Sequence, residues 1–277
     1  MTHEPTTRTT TRARERTARR WRRTRRSGAT AAGIVVLALI GATTLVASPV
    51  SSQSPSPDPQ VGAGYAAGWL ADQVVDEGFI PLPDDAPNVG ATVEAALALA
   101  AAGVEGATFH RMVEWLEANV ATVIAPFGST SPGAIGYLML IGQVAGTPAT
   151  DFGGTNLVTA LAATLGAHEP GLYGEDAPTW DGVFRQALAI LGLMASNQAV
   201  PAQAISWLQD QQCSTPAAAA GGWEAYRTTP ADPCEAPDPT FFVGPDSNST
   251  ALAIQALAAT GDTGVAAGLD FLGDTQE

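Results

Sequence analysis

Cys213 and Cys234 are the two cysteines of the chain, and they flank a loop that contains GGWEAYRTTPADPC. Two thiols this close in sequence either share a metal with further ligands or pair as a disulfide. His3, His110 and His168 all lie outside the loop, which leaves a zinc set short of ligands. A disulfide is the expectation for an exported chain, and closing a loop of this size is worth about 3 kcal/mol in the chain-entropy model. No metal site is expected. Asp84-Asp85 in PLPDDAPN offers paired carboxylates that could hold Mg²⁺ and a diphosphate. The segment is Pro-rich and has Asn88 where a third acid would be needed, so it reads as an exposed turn leading to a helix cap. Asp181, just before GVFRQALAIL, reads as a cap too. Glu175-Asp176, Glu114 and Glu117 read as solvated acids, and Asn248-Ser249-Thr250 is a sequon that a helix start explains without a glycan.

The elements that must position these residues are helices. PAQAISWLQDQQC opens on Pro201 and shows an apolar face of Ala204, Ile205, Trp207 and Leu208. DSNSTALAIQALAATG repeats the pattern with Ala251, Ile254, Leu257 and Ala258, and Gly261 as the stop. Between them lies the cysteine-bearing loop with Gly221-Gly222-Trp223. No stretch alternates with a period of two, so no sheet is expected.

Trp207-Leu208, then Gln212, then Gly221-Gly222-Trp223 resembles the QW repeat of the squalene-hopene cyclase and terpenoid cyclase family. Protein prenyltransferase β-subunits and cobalamin carriers share the α/α-toroid fold that this resemblance implies. Eight residues separate Gln212 from Gly221, more than the family usually has.

A repeat runs through the chain. Trp69 and Trp115 are 46 positions apart, Trp115 and Trp207 are 92 apart, and Leu161 fills the midpoint. The step from Trp207 to Phe271 is 64, lengthened by the cysteine loop. NVGATVEAALALAAAG aligns without gaps on DSNSTALAIQALAATG, from Asn88 over Asp246 to Gly103 over Gly261, with Thr92 over Thr250. A period in the forties with two helices per unit is an α/α repeat, and it does not by itself choose between solenoid and toroid. The QW resemblance favours the toroid. Residues 61–277 are therefore expected to form an all-α, α/α-toroid-like arc of about four and a half antiparallel helix pairs, first helices outside and second helices inside. The sequence stops within a fifth QW-like motif, Phe271-Leu272 to Gln276. That is expected to leave either a truncated or an open arc, with an uncovered apolar edge near Leu269–Leu272 that would favour self-association.

Charge is divided along the chain. The net charge is −14, yet residues 1–26 hold ten of the thirteen basic residues and carry +8, leaving −22 for the rest. The acidic body excludes nucleic acid as its partner and keeps the protein soluble. Residues 1–28 read as a disordered basic segment. Residues 29–47 are nineteen positions without a charge, a signal peptide or a signal-anchor helix. Both the cleaved and the retained form stay open; in either case the positive side stays in the cytoplasm and the body is exported. Residues 48–60 (SPVSSQSPSPDPQ) read as an extended Pro/Ser linker.

What the resemblance implies for activity turns on Asp246. Squalene-hopene-type cyclases open an inner helix with D-x-D-D-T-A, whose middle Asp protonates the alkene. Asp246-Ser247-Asn248-Ser249-Thr250-Ala251 resembles it in frame, but Asn248 replaces the acid. The D-x-C zinc ligands of prenyltransferase β-subunits match equally only at Asp246. The favoured reading is an exported or membrane-anchored, non-catalytic binding module with an apolar cavity or groove for a small apolar ligand, and no cofactor. The alternatives are a terpenoid cyclase or prenyltransferase-like enzyme, with Asp246 catalytic, and a cobalamin-type carrier. Trp69, Trp115, Trp207 and Trp223 are expected to pack structurally. In a toroid the second helices line the cavity, which makes Tyr137, Trp180 and Phe184 the ligand-facing candidates, with Asp246 and Asn248 at a helix start.

Overall fold

The computed structural model describes residues 59–176, 180–226, 233–238, 240 and 243–275. The basic segment 1–28, the apolar stretch 29–47 and the linker up to residue 58 lie outside the described residues. Among the described residues there are ten α-helices, a single 3₁₀ turn at Ala217–Ala219 and no β-strand. None of these helices is long and apolar enough to cross a membrane.

The first helix, α1 (Pro59–Ala71), begins two residues inside the segment read as linker. Proline is tolerated as an opening residue because its missing N–H has no helical partner to lose. Then follow α2 (Val89–Ala102), α3 (Gly106–Ala118), the short α4 (Val120–Ile124), α5 (Pro132–Ala145) and α6 (Leu157–Ala162). The chain continues with α7 (Val183–Ala195), α8 (Ala202–Asp210), α9 (Ser247–Ala259) and α10 (Ala266–Asp274). Asn88, Ser131 and Asp246 cap α2, α5 and α9, each accepting a backbone N–H from three residues on. Asp181 is not the cap of α7. That position is Gly182, and the Asp181 carboxylate is turned to other partners.

The second helices α2, α5, α7 and α9 pack side by side in chain order, most extensively α5 on α7. Their seam is built on small residues: a Cβ on Gly136 would lie 2.3 Å from the Leu188 carbonyl oxygen, so the two backbones approach as closely as glycine allows. The first helices α1, α3, α8 and α10 each pack on a second helix of their own or a neighbouring unit. One core cluster gathers Leu99, Met112, Leu116, Ile135, Leu138 and Ile141, and a second gathers Ile190, Trp207, Leu208, Trp223 and Leu257.

Three connecting loops are built alike. Ile80, Tyr173 and Trp223 each donate a backbone N–H to a side chain on the following second helix: to Thr92 Oγ1 at 3.0 Å, Gln186 Oε1 at 2.8 Å and Thr250 Oγ1 at 3.0 Å. Those three acceptors are fully buried, and each lies four residues beyond the cap position of its helix. Two residues before each donor stands a glycine with positive φ, Gly78, Gly171 and Gly221. A Cβ there would lie 2.4, 2.4 and 2.2 Å from the carbonyl oxygens of Arg111, Gln203 and Ala267. Only glycine meets both the left-handed backbone and the contact. Each of those carbonyls stands four residues before an anchor of the repeat, Trp115, Trp207 or Phe271. The anchors close over the preceding loop: Phe79 and Trp115 have ring centroids 5.5 Å apart, and the Phe271 ring lies 3.0 Å from where a Gly222 Cβ would be. In these three units the loop is thus gripped by the first helix of the next unit.

This geometry corrects one expectation. Trp115, Trp207 and Trp223 pack into the structure, but Trp69 is 66% exposed. Among the described residues no loop precedes α1 to cover it. Leu161, by contrast, is fully buried, although its helix is only six residues long. The second unit also departs from the pattern. At four residues beyond Ser131 it has the apolar Ile135, and its loop glycine, Gly128, meets nothing within 4 Å.

The buried acceptors should dominate stability. Thr250→Val leaves the Trp223 N–H unpaired and should cost about 1–2 kcal/mol in urea unfolding. Gln186 also donates to the carbonyls of Gly171 and Ala204, at 2.9 and 3.0 Å. Gln186→Leu should therefore cost more, about 3 kcal/mol. Equal, negligible effects for both variants would contradict the reading of these loops.

Candidate functional site

The N-terminal ends of α5 and α7 meet at a cleft of about 180 Å³. On one side the loop before α5 supplies Pro126, Phe127, Ser129 and the cap residue Ser131; on the other stand Asp176, Trp180 and Arg185. Phe127 is 89% exposed and Trp180 56% exposed. Trp207 and Trp223, by contrast, are buried in the core, so Phe127 and Trp180 leave large aromatic surfaces open beside a concavity.

The polar wall is organised by Asp181. Its buried carboxylate accepts the Asp176 N–H through Oδ2 at 2.7 Å and the Arg185 guanidinium through Oδ1 at 3.0 Å. Gly174 makes room for it, since a Cβ there would lie 2.2 Å from the carboxylate. The Trp180 N–H donates to the Asp176 carbonyl at 3.0 Å. Ser129 Oγ donates to Asp176 Oδ2 and ties the two walls together. Gly182 is held under the next loop, where the Val183 N–H donates to the Ala225 carbonyl at 3.0 Å. The cleft therefore sits on fixed helix starts. Its volume is below the roughly 300–1,000 Å³ usual for drug-sized ligands, so it suits a small headgroup and not a long polyprenyl chain.

Of the residues singled out in the sequence, Trp180 lines this cleft. Phe184 is half-buried one residue into α7, and Tyr137 is half-buried on the second turn of α5. Burial, and to a lesser degree the negative charge of Glu94, raises the Tyr137 phenol above its ordinary value. Asp246 and Asn248 stand at another helix start: Asp246 Oδ1 accepts the Ser249 N–H at 2.8 Å, and Asn248 is exposed. Asp84 and Asp85 are exposed in a turn, where Asp84 Oδ1 accepts the Ala86 N–H at 3.4 Å.

Phe127, Ser129, Asp176 and Arg185 were not singled out as ligand-facing. One signal for Arg185 was present: beyond residue 26 the chain has only three arginines and no lysine, so a cation inside a helix of that acidic body stands out. Phe127 gave none, since an exposed aromatic and a core aromatic read alike in a Pro-Phe-Gly loop.

Cys213 and Cys234 are joined by a disulfide with Cα atoms 5.8 Å apart. The bond lies beside the QW-like contacts. Gln212 Nε2 donates to the Gly221 carbonyl at 3.0 Å, Trp223 Nε1 to the Leu208 carbonyl at 2.8 Å, and the Asp246 N–H to the Trp223 carbonyl at 3.2 Å. Buried Glu224 brings a carboxylate within 4.8 Å of both sulfurs and accepts the Glu235 N–H at 2.6 Å. With both sulfurs in the bond, neither is a thiolate, so this trio offers no metal set in the oxidised form.

Two measurements follow from these surroundings. Reducing the disulfide, which closes a separation of 21 residues, should lower stability by about 3 kcal/mol in denaturant unfolding. Burial pushes the Tyr173 phenol up to about 12. A raised phenol favours the folded state while neutral, so its contribution is intact below about pH 10 and is lost as pH climbs toward 12. An ultraviolet phenolate titration should show a late step that Tyr173→Phe removes. Comparison with protein-family models, curated proteins and solved structures finds no match to this chain.

Proposed function

We propose that this chain is an exported or membrane-anchored, non-catalytic binding module of the prenyltransferase and squalene-cyclase repeat type. In this reading its helix pairs form a toroid-like arc of about four and a half pairs, and the cleft at the starts of α5 and α7 holds a small ligand. Three features support the architecture: the units interlock through equivalent loops, the second helices lie side by side, and the QW-like residues bond to one another. The basic segment followed by nineteen uncharged residues supports export.

The observation that carries the non-catalytic reading is the α9 start. Protonating an alkene needs a carboxylic acid kept neutral in an enclosed site. Here the in-frame position is Asn248, an exposed amide, and the Asp246 carboxylate is spent on capping its own helix. The cleft is also too small for a long isoprenoid.

Incubation of the purified protein with squalene, and separately with prenyl diphosphates and Mg²⁺ or Zn²⁺, should give no turnover. Turnover abolished by Asp246→Asn would overturn the proposal and make Asp246 catalytic.

A further inference from the structure

We infer that the cleft between Phe127 and Trp180 is a site for a small organic cation, an ammonium headgroup. The inference rests on the binding-module reading and names the ligand class of that same cleft.

The first support is charge. The cleft and its immediate support contain two carboxylates, Asp176 and Asp181, and one guanidinium, Arg185. Asp181 is buried and both its oxygens are engaged, one of them by Arg185 at 3.0 Å. Arg185 and Asp181 therefore neutralise each other locally. The charge left on the wall is that of Asp176, which is partly exposed and held in place by Ser129. An anion would meet an uncompensated carboxylate and a guanidinium already paired, and is disfavoured. A cation gains from Asp176, and the −22 of the chain beyond residue 26 raises its local concentration.

The second support is the aromatic pair. Trp180 and Phe127 both line this cleft, and both are more than half exposed. The faces of such rings attract cations, and indole does so best. An ammonium group carrying methyls or a short alkyl chain meets both walls at once: its carbons remove the rings from water while its charge faces Asp176. A neutral polyol would need a larger set of unengaged donors and acceptors than this wall presents. A cleft of about 180 Å³ has room for on the order of half a dozen water-sized groups. That matches a headgroup such as choline.

The test is isothermal titration of the purified full-length chain, in detergent, with choline chloride and with its uncharged carbon isostere, 3,3-dimethylbutan-1-ol. Glucose and sodium acetate serve as neutral and anionic probes. Choline should saturate the protein, the isostere should bind at least about tenfold more weakly, and added salt should weaken the choline complex. Asp176→Asn and Trp180→Ala should each weaken choline at least about tenfold. Trp180 is largely solvent-exposed, so its variant should keep the parent circular dichroism spectrum and melting point. Equal binding of choline and isostere, or full choline affinity in Asp176→Asn, would overturn the cation assignment. If glucose or acetate binds instead, and Trp180→Ala abolishes it, the cleft remains a binding site for another class. If no probe gives saturable heat, both the assignment and the choice of this cleft fail.

Discussion

The structure depends on one recurring hydrogen bond. A loop that leaves a first helix must return to start a second, and the N–H that points inward at the turn has no helical or sheet partner. In three of the units a buried side chain on the second helix takes it: Thr92, Gln186 or Thr250. A buried unpaired N–H would cost roughly 1–3 kcal/mol at each site. The acceptor sits at a constant offset from the helix start, so satisfying the donor also fixes how far along the second helix the loop arrives. The same bond therefore sets register.

Register then propagates. With the loop fixed, its glycine lies against a carbonyl of the next first helix, and the anchor ring one turn later closes over it. The units are coupled pairwise in sequence order, as expected for a repeat whose single unit cannot bury its own apolar face. The exception is instructive. The second unit has the apolar Ile135 at the acceptor position, its Gly128 has no neighbour within 4 Å, and its loop, closed on itself by the Ser131 N–H to the Ile124 carbonyl at 2.7 Å, leaves Phe127 exposed. The candidate cleft forms at that break in the pattern, between this loop and the start of α7, with Ser129 bonded across to Asp176. A departure from the repeat is where a function can be placed without disturbing the interlock.

Much of the scaffold was legible in the sequence. Helix starts were readable from Asn88 and Asp246, whose side chains act locally, within three residues. The spacing of Trp115, Leu161, Trp207 and Phe271 was readable because anchors in equivalent units must fall at equivalent places. The overlay of Thr92 on Thr250 was visible as well, but not its role, since Gln186 performs it in another unit with a different residue type. Trp69 shows the limit of a period: it has the right spacing, yet among the described residues no loop lies against it and it is 66% exposed. The cleft was less legible because it joins residues as far apart as Ser129 and Asp176, 47 positions in the chain. Asp181 looked like a cap since an acid before a helix usually is one; its engagement with Arg185 and with the Asp176 N–H five residues back is a pairing that no local pattern announces.

Native-state amide hydrogen exchange tests the central claim most directly. If the three buried acceptors hold the loops and set the register, the amides of Ile80, Tyr173 and Trp223 should exchange as slowly as those in the middle of α5 and α7, although they lie outside any helix. Exchange of these three amides at the rate of an unprotected loop would contradict the account.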